Sequence, residues 1–265
     1  MVGSDFDHVA LAYERAFDGL DRYRGDLGGT FLGGSIDPGF YWAHVRFANG
    51  MRVELLEPAE IARDDFLRRF LDRSGAGPHH LTFKVPDIEY AIERVRAAGF
   101  EPARINLAYE GWREIFLHPK QSFGIVVQFA ETSGGSRPKN AGDGLPTARN
   151  EANASLERVV HSIANLDAAL ELFSGILAGQ AVAEGDDGGR WVELAWPGAG
   201  RLRLWQPSDP DACAWLGKRV GRLHHLAFSL RDPAAVRNAR PLVEGVFEIA
   251  PTDNHGTRLR LTHEL

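Results

Sequence analysis

The alternation of apolar and polar positions sets out a series of short elements. His8–Tyr13 alternates toward a strand and runs into a segment of helical period, Glu14–Tyr23. Phe40–Phe47 and Arg52–Leu56 read as strands joined by an Ala48-Asn49-Gly50 hairpin turn. Ile61–Leu71 has a helical pattern, and His79–Val85 alternates as a strand. Asp87 caps a helix over Ile88–Ala98 that Gly99 stops. Two more strands follow, Trp112–Leu117 and Gly124–Phe129, separated by Pro119 and a polar turn. The order reads βαββ–α–βαβββ, or two βαβββ-like units in one α+β domain.

The pattern then breaks. ETSGGSRPKNAGDGLPTARNEANAS, from Glu131 to Ser155, has almost no large apolar residue and cannot bury a core, so residues 132–155 read as a linker. They separate a first part, 1–131, from a second, 156–265. The two parts resemble each other. GPHHLTFKVPDIEYA begins at Gly77 and GRLHHLAFSLRDPAAV at Gly221. Aligning the HHL triplets gives an offset of 145 that pairs His80 with His225, Asp87 with Asp232, Gly111 with Gly256, Arg113 with Arg258 and His118 with His263. VELLEP matches LRLWQP, and DHVALAY matches RVVHSI. An internal duplication is the simplest explanation. At this offset Leu265 falls on Lys120, so the second copy is expected to lack its last strand and to need a cover for the exposed sheet edge.

Composition adds limits. Hydrophobic residues make up 44% and charged residues 25%, the profile of a globular protein. The formal charge of −6 speaks against nucleic acid or an anionic membrane as a main partner. No stretch approaches the roughly 18 apolar residues of a membrane span. The polar, acidic segment Met1–His8 does not read as a signal peptide. The one cysteine, Cys213, fits a reducing cytoplasm and reads as a small buried hydrophobe beside Trp215 and Leu216 rather than a nucleophile.

Four polar residues stand at inward-looking strand positions of the first copy: His8, Glu54, His80 and Gln128. A polar side chain in a buried strand is costly unless paired or coordinated. Imidazole and carboxylate are good ligands for zinc, cobalt, nickel, manganese or iron. The spacing alone leaves single hydrogen-bonded histidines and an edge glutamate as the alternative, because the four are far apart in the chain.

The motifs DHVALAY, VELLEP, GAGPHHLTFKVPDIEYAI, IFLHPK and GIVVQF resemble the vicinal oxygen chelate superfamily of glyoxalases, extradiol dioxygenases, bleomycin-resistance proteins and methylmalonyl-CoA epimerases. The first copy is most similar to the epimerases over nearly its whole length; HHLTFKVPDI with FLHPK is the more specific part. The resemblance implies tandem domains built from paired βαβββ units. It also implies one divalent metal ion on His8, Glu54, His80 and Gln128. Gln128 departs from the family, which has a glutamate there that also serves as a base. The family's other base lies on the strand before VELLEP, where His44 is the counterpart; Glu54, if unligated, is a second choice. Lys120, in FLHPK, and Arg113 are the implied contacts for a CoA thioester, with Tyr109 and Trp112 near the same cleft.

The second copy fails at the ligand positions. His8 becomes Arg158, Glu54 becomes Arg203, His225 is kept, and Gln128 has no counterpart at the offset of 145. Arginines repel a metal ion. The second copy therefore reads as structural, standing in for a second subunit, with anion binding by Arg158 and Arg203 as the alternative. The preferred function is a metal-dependent isomerase or lyase on a small carbonyl or acyl-CoA substrate, in a monomeric pseudo-dimer or homodimer. An extradiol-type dioxygenase and a non-catalytic resistance-type binding protein are the alternatives.

Overall fold

In a computed structural model of the chain, the described residues are 1–109, 111–133, 144–149 and 154–264. Much of the linker reading, 134–143 and 150–153, lies outside the described residues.

The first half supplies β1 (Asp5–Ala12), α1 (Ala16–Leu20), β2 (Thr30–Asp37), β3 (Phe40–Arg46), β4 (Arg52–Pro58), α2 (Phe66–Ser74), β5 (Gly77–Lys84), α3 (Ile88–Ala97), β6 (Pro102–Asn106), β7 (Arg113–Leu117) and β8 (Val126–Glu131). Its strands form an eight-stranded sheet in the order β2-β3-β4-β1-β5-β8-β7-β6. The second half supplies β9 (Ser155–Ile163), α4 (Leu166–Leu170), β10 (Gln180–Gly185), β11 (Gly189–Ala195), β12 (Arg201–Pro207), α5 (Pro210–Leu216), β13 (Gly221–Leu230), β14 (Arg240–Val243), β15 (Val246–Ile249) and β16 (Leu259–His263). Their order, β10-β11-β12-β9-β13-β16-β15-β14, repeats the first. These are two mixed-sheet α+β domains; the first is built of two βαβββ-like units, and the second repeats its strand order.

The second copy therefore does not lack its last strand. β16 pairs with β13 through Leu226↔Leu259 as β8 pairs with β5 through Leu81↔Val127. What is missing is a helix. Asp87 accepts a hydrogen bond from the Tyr90 amide at 2.9 Å and starts the ten-residue α3. Asp232 accepts one from the Ala235 amide at 3.2 Å, but only a single 3₁₀ turn, Pro233–Ala235, follows. The cap survived and the helix did not. From β15 onward equivalent positions are 132 apart, not 145, and the matches of Gly111, Arg113 and His118 with Gly256, Arg258 and His263 are not structural equivalents. Arg260, opposite Ala227, takes the place of Gln128, opposite Thr82.

The edge strands β2, β6, β10 and β14 are not legible in the apolar pattern: β6, β10 and β14 are largely exposed, and β2 buries glycines at its centre in place of alternating apolar side chains. β2 also carries a bulge between Phe31 and Gly33, and Gly33 adopts φ 126°, open to glycine. α2 begins later than its pattern, at Phe66, and α1 runs on as a wider π turn over Asp21–Asp26. α5 turns Cys213 outward, where its thiol donates to the Pro207 carbonyl at 3.3 Å; the buried reading of this cysteine is wrong.

By spatial contact the described residues form two compact units. One draws on Met1–Asp7, His80–Arg137 and Arg158–His224; the other draws on His8–His79, Pro138–Glu157 and His225–Leu265. In the second of these, both faces of β1 are buried, which explains its near-continuous apolar run. Ala10 and Ala12 pack with Trp42, Leu56 and the α2 residues Leu67 and Leu71. His79 belongs to this wall, its ring 4.7 Å from that of Phe70. The same unit holds a buried ion network. Asp26 receives Arg22 at 2.6 Å, Arg149 at 2.7 Å and Arg237 at 2.9 Å, and Arg22 also donates to Asn254. Burial lowers the pKa of Arg22, opposed by the Asp26 charge. Removing one partner of such a pair typically costs about 3–5 kcal/mol, since the other charge stays buried.

In the other unit, His161 on β9 is fully buried, with Nε2 2.7 Å from the Phe123 carbonyl. Burial pushes its pKa down to about 4, partly opposed by that hydrogen bond. Above pH 6.5 the ring is neutral in both folded and unfolded chains. Between pH 6.5 and about 4 only the unfolded chain takes the proton, so stability falls across that window and the loss levels off below it. His161→Leu removes this term. Denaturant unfolding should show wild type losing about 3 kcal/mol more than the variant between pH 7 and pH 4. Parallel losses would mean that His161 is not held neutral.

Candidate metal centre

Strand register brings the first set of polar groups together. His44 on β3 lies directly across from Glu54 on β4, and Glu54 lies across from Ala10, two residues after His8 on β1. Alternation puts His8, His44 and Glu54 on the face that carries Ala10, Trp42 and Leu56. One carboxylate then meets two imidazoles. Glu54 Oε2 is 3.4 Å from His8 Nε2, and Oε1 is 3.2 Å from His44 Nε2. The two rings are 5.0 Å apart, and Trp42 backs His44 at 5.1 Å. His8 is 1% exposed and Glu54 9%. Burial lowers the pKa of His44; contact with the Glu54 carboxylate opposes this but does not overcome it.

β5 and β8 place the other set. His80, 6% exposed, has its ring 6.5 Å from Phe116. Two residues on, Thr82 sits across from Gln128. Gln128 Oε1 accepts the Thr82 hydroxyl at 2.5 Å, and Gln128 Nε2 donates to Glu114 Oε2 at 2.7 Å. The indole N–H of Trp112 donates to the same Glu114 oxygen at 2.6 Å. An ionised carboxylate only accepts, so Glu114 fixes which way the Gln128 amide faces: NH₂ toward Glu114, carbonyl toward Thr82. Neither Glu114 nor Thr82 stood out in the sequence. Both sit in regular strands, and the register that brings them to Gln128 is not a local signal.

His8, Glu54 and His80 each present one ligand atom, and the three atoms lie within 4.8 Å of one another. Two imidazoles and one carboxylate, all buried, are a donor set that suits a divalent transition metal or zinc. The residues present therefore fit the ion that the family resemblance implies. Gln128 can add a carbonyl oxygen that still has a second lone pair.

The remaining predicted contacts are on the surface. Arg113 is held by Glu131 at 2.8 Å and Glu89 at 3.0 Å. Lys120 is exposed in a tight turn, its amide donating to His118 Nδ1 at 3.1 Å. Tyr109 is exposed, and Trp112 is half-buried against Glu114.

Residues 7–116 match the model of the glyoxalase/bleomycin resistance protein/dioxygenase superfamily. The first half of the chain carries a domain of that superfamily. It resembles ethylmalonyl-CoA/methylmalonyl-CoA epimerase of Cereibacter sphaeroides, 29% identical over 140 residues, 49% of this chain and 99% of that protein. Human mitochondrial methylmalonyl-CoA epimerase is 27% identical over 133 residues, 47% of this chain and 72% of that protein. A hypothetical protein from Staphylococcus aureus shares the fold over 98% of this chain and 100% of its own, with a TM-score of 0.60 and 14% identity. The fold likeness thus extends through the second half, whereas these epimerase matches span about half the chain.

The His44 result gives a direct check. In metal-free protein its imidazole should titrate below the ordinary 6.5, because burial outweighs the neighbouring carboxylate. Histidine NMR, with the resonance assigned by His44→Gln, reads the midpoint. A midpoint at or above 6.5 would show that Glu54 dominates instead.

Proposed function

We propose that the superfamily domain of the first half binds one divalent metal ion through His8, Glu54 and His80, with the Gln128 carbonyl as fourth ligand. We propose further that it acts as an epimerase-like enzyme on a small acyl-CoA. The observation that carries this reading is the convergence of two buried imidazoles and a carboxylate within 4.8 Å in a domain whose relatives are epimerases of CoA esters. A bound ion supplies Lewis acidity toward a thioester carbonyl. His8, Glu54 and His80 orient it, and the Trp42–Leu56–α2 wall keeps that face dry. His44, neutral near pH 7, is the group that accepts the proton from the carbon beside the carbonyl. In this reading Lys120 and Arg113 contact the CoA portion, and Arg113 releases Glu89 to do so. The two domains at 1–131 and 156–265, the linker at 132–155 and a cytoplasmic setting belong to the same proposal. Among the described residues no helix is long and apolar enough to cross a membrane.

Gln128 favours a second reading. It cannot take a proton, and its amide is already engaged by Thr82 and Glu114. A binding protein that holds a small carbonyl compound without turning it over is consistent with that.

The two readings separate in one experiment. Purified protein should contain one metal ion per chain by elemental analysis, lost in His80→Ala. Solvent deuterium should enter methylmalonyl-CoA, and the exchange should fall at least tenfold in His44→Gln. One metal without exchange sinks the epimerase and keeps the site; no metal after refolding with zinc, cobalt or iron sinks both.

Gln128→Glu is the obvious attempt to restore a base, but it sets a second carboxylate against Glu114 at hydrogen-bond distance. Two such groups do not both ionise, and one pKa rises. Gln128→Glu with Glu114→Gln removes the conflict. The double variant is expected to exchange deuterium at least several-fold faster than the single one at pH 7, and equal rates would show that Glu114 does not govern position 128.

A further inference from the structure

The second domain carries a different set of residues at the same register. Leu202 pairs with Val159 as Val53 pairs with Val9, and Glu193 lies across from Arg203 as His44 lies across from Glu54. Arg158, Arg203 and Glu193 thus stand where His8, Glu54 and His44 stand in the first domain. All three belong to one compact unit.

One carboxylate serves both arginines. Glu193 is 9% exposed and uses one oxygen, Oε2, for both arginines: Arg203 donates to it from Nη2 at 2.9 Å and Nε at 3.1 Å, and Arg158 Nε lies 3.2 Å away. The Arg158 Nε is buried and makes no hydrogen bond. Two guanidiniums thus share the Glu193 carboxylate, and a second carboxylate near Arg203, that of Asp187, is already engaged by the Trp191 indole N–H at 2.6 Å. Arg203 is also held flat, its Cζ 3.8 Å over the Trp191 ring, which fixes the plane of its donor fork.

We propose that Arg158 and Arg203, braced by Glu193 and Trp191, bind a small organic anion through a carboxylate or phosphate group. A guanidinium fork offers paired N–H donors that match two oxygens of either group, and partial burial strengthens the bond. The site takes an anion where the first domain's register holds a cation-ligating set. It does not depend on the metal reading, because it shares no residue with His8, Glu54 and His80.

The test is thermal unfolding of the full chain in phosphate, in malonate and in chloride at matched ionic strength. Wild type should melt several degrees higher in at least one of the first two than in chloride. Arg158→Gln and Arg203→Gln should each remove more than half of that rise, and each keeps one arginine on Glu193. His8→Ala should leave it intact, which separates this site from an anion bound through the metal centre. Stabilisation by phosphate alone identifies a phosphate ester, and by malonate alone a carboxylate. No rise over chloride, or a rise unchanged in both arginine variants, overturns the proposal. If a variant fails to fold, ³¹P line broadening decides: phosphate broadened by wild type, and less so by Arg158→Lys, supports the site, whereas equal broadening or none overturns it.

Discussion

A buried carboxylate between two imidazoles is the constraint around which the first domain is organised. Glu54 is almost wholly removed from water, and each of its oxygens faces a histidine from a neighbouring strand. Such a group is several kcal/mol too costly to bury alone. Strand register is what makes it tolerable. A one-residue slip of β4 would turn Glu54 to the opposite face and bring Val53 or Leu55 in its place. The chemistry and the fold are therefore specified by the same pairings: β1 with β4 and β3 with β4. The wall follows from that register: Ala10, Ala12, Trp42 and Leu56 occupy the same face two or four residues along, and Leu67 and Leu71 of α2 pack on them.

The second domain shows how far the backbone can be kept while the charge is inverted. Its strand order is the same, yet arginines replace a histidine and a glutamate, and Arg260 takes the place of Gln128. A glutamate accompanies each change. Glu193 serves Arg158 and Arg203, and in the other compact unit Glu248 lies 3.5 Å from Arg258 and 3.6 Å from Arg260. Always-charged side chains on partly buried strands need such partners. The pattern is that of a rebuilt polar face. A face that had merely lost its ligands would fill with apolar residues, which pack at lower cost.

How much of this was legible in the chain depended on locality. The central strands and α3 announced themselves, because burial on one or both faces leaves a local pattern and Asp87 with Gly99 marks both helix ends. The cluster of His8, Glu54 and His80 is legible because His8 and Glu54 are polar residues in apolar frames, and the resemblance groups the three. The edge strands were invisible because exposed backbone pairing needs no apolar alternation. The second domain's end was misjudged for a related reason. An ungapped offset fits HHL and the Asp cap, and chance matches such as Arg113 with Arg258 carried it past the point where α3 is replaced by one turn. Sheet pairing alone exposes the deletion.

Glu114 is the clearest case of what sequence pattern does not hold. It occupies an ordinary place in β7, and nothing in REIFL distinguishes it from a solvated strand glutamate. Only the antiparallel register of β7 on β8, with Phe116 across from Gln128, brings its carboxylate to the Gln128 amide. Once there it has two consequences that follow from hydrogen-bond roles alone. It orients the amide so that the carbonyl, not the NH₂, is available as a ligand. It also makes glutamine the favoured residue at 128, because a glutamate in the same place would meet a second carboxylate without a donor between them. Gln128 is then one half of a coupled pair: glutamine at 128 goes with a carboxylate at 114.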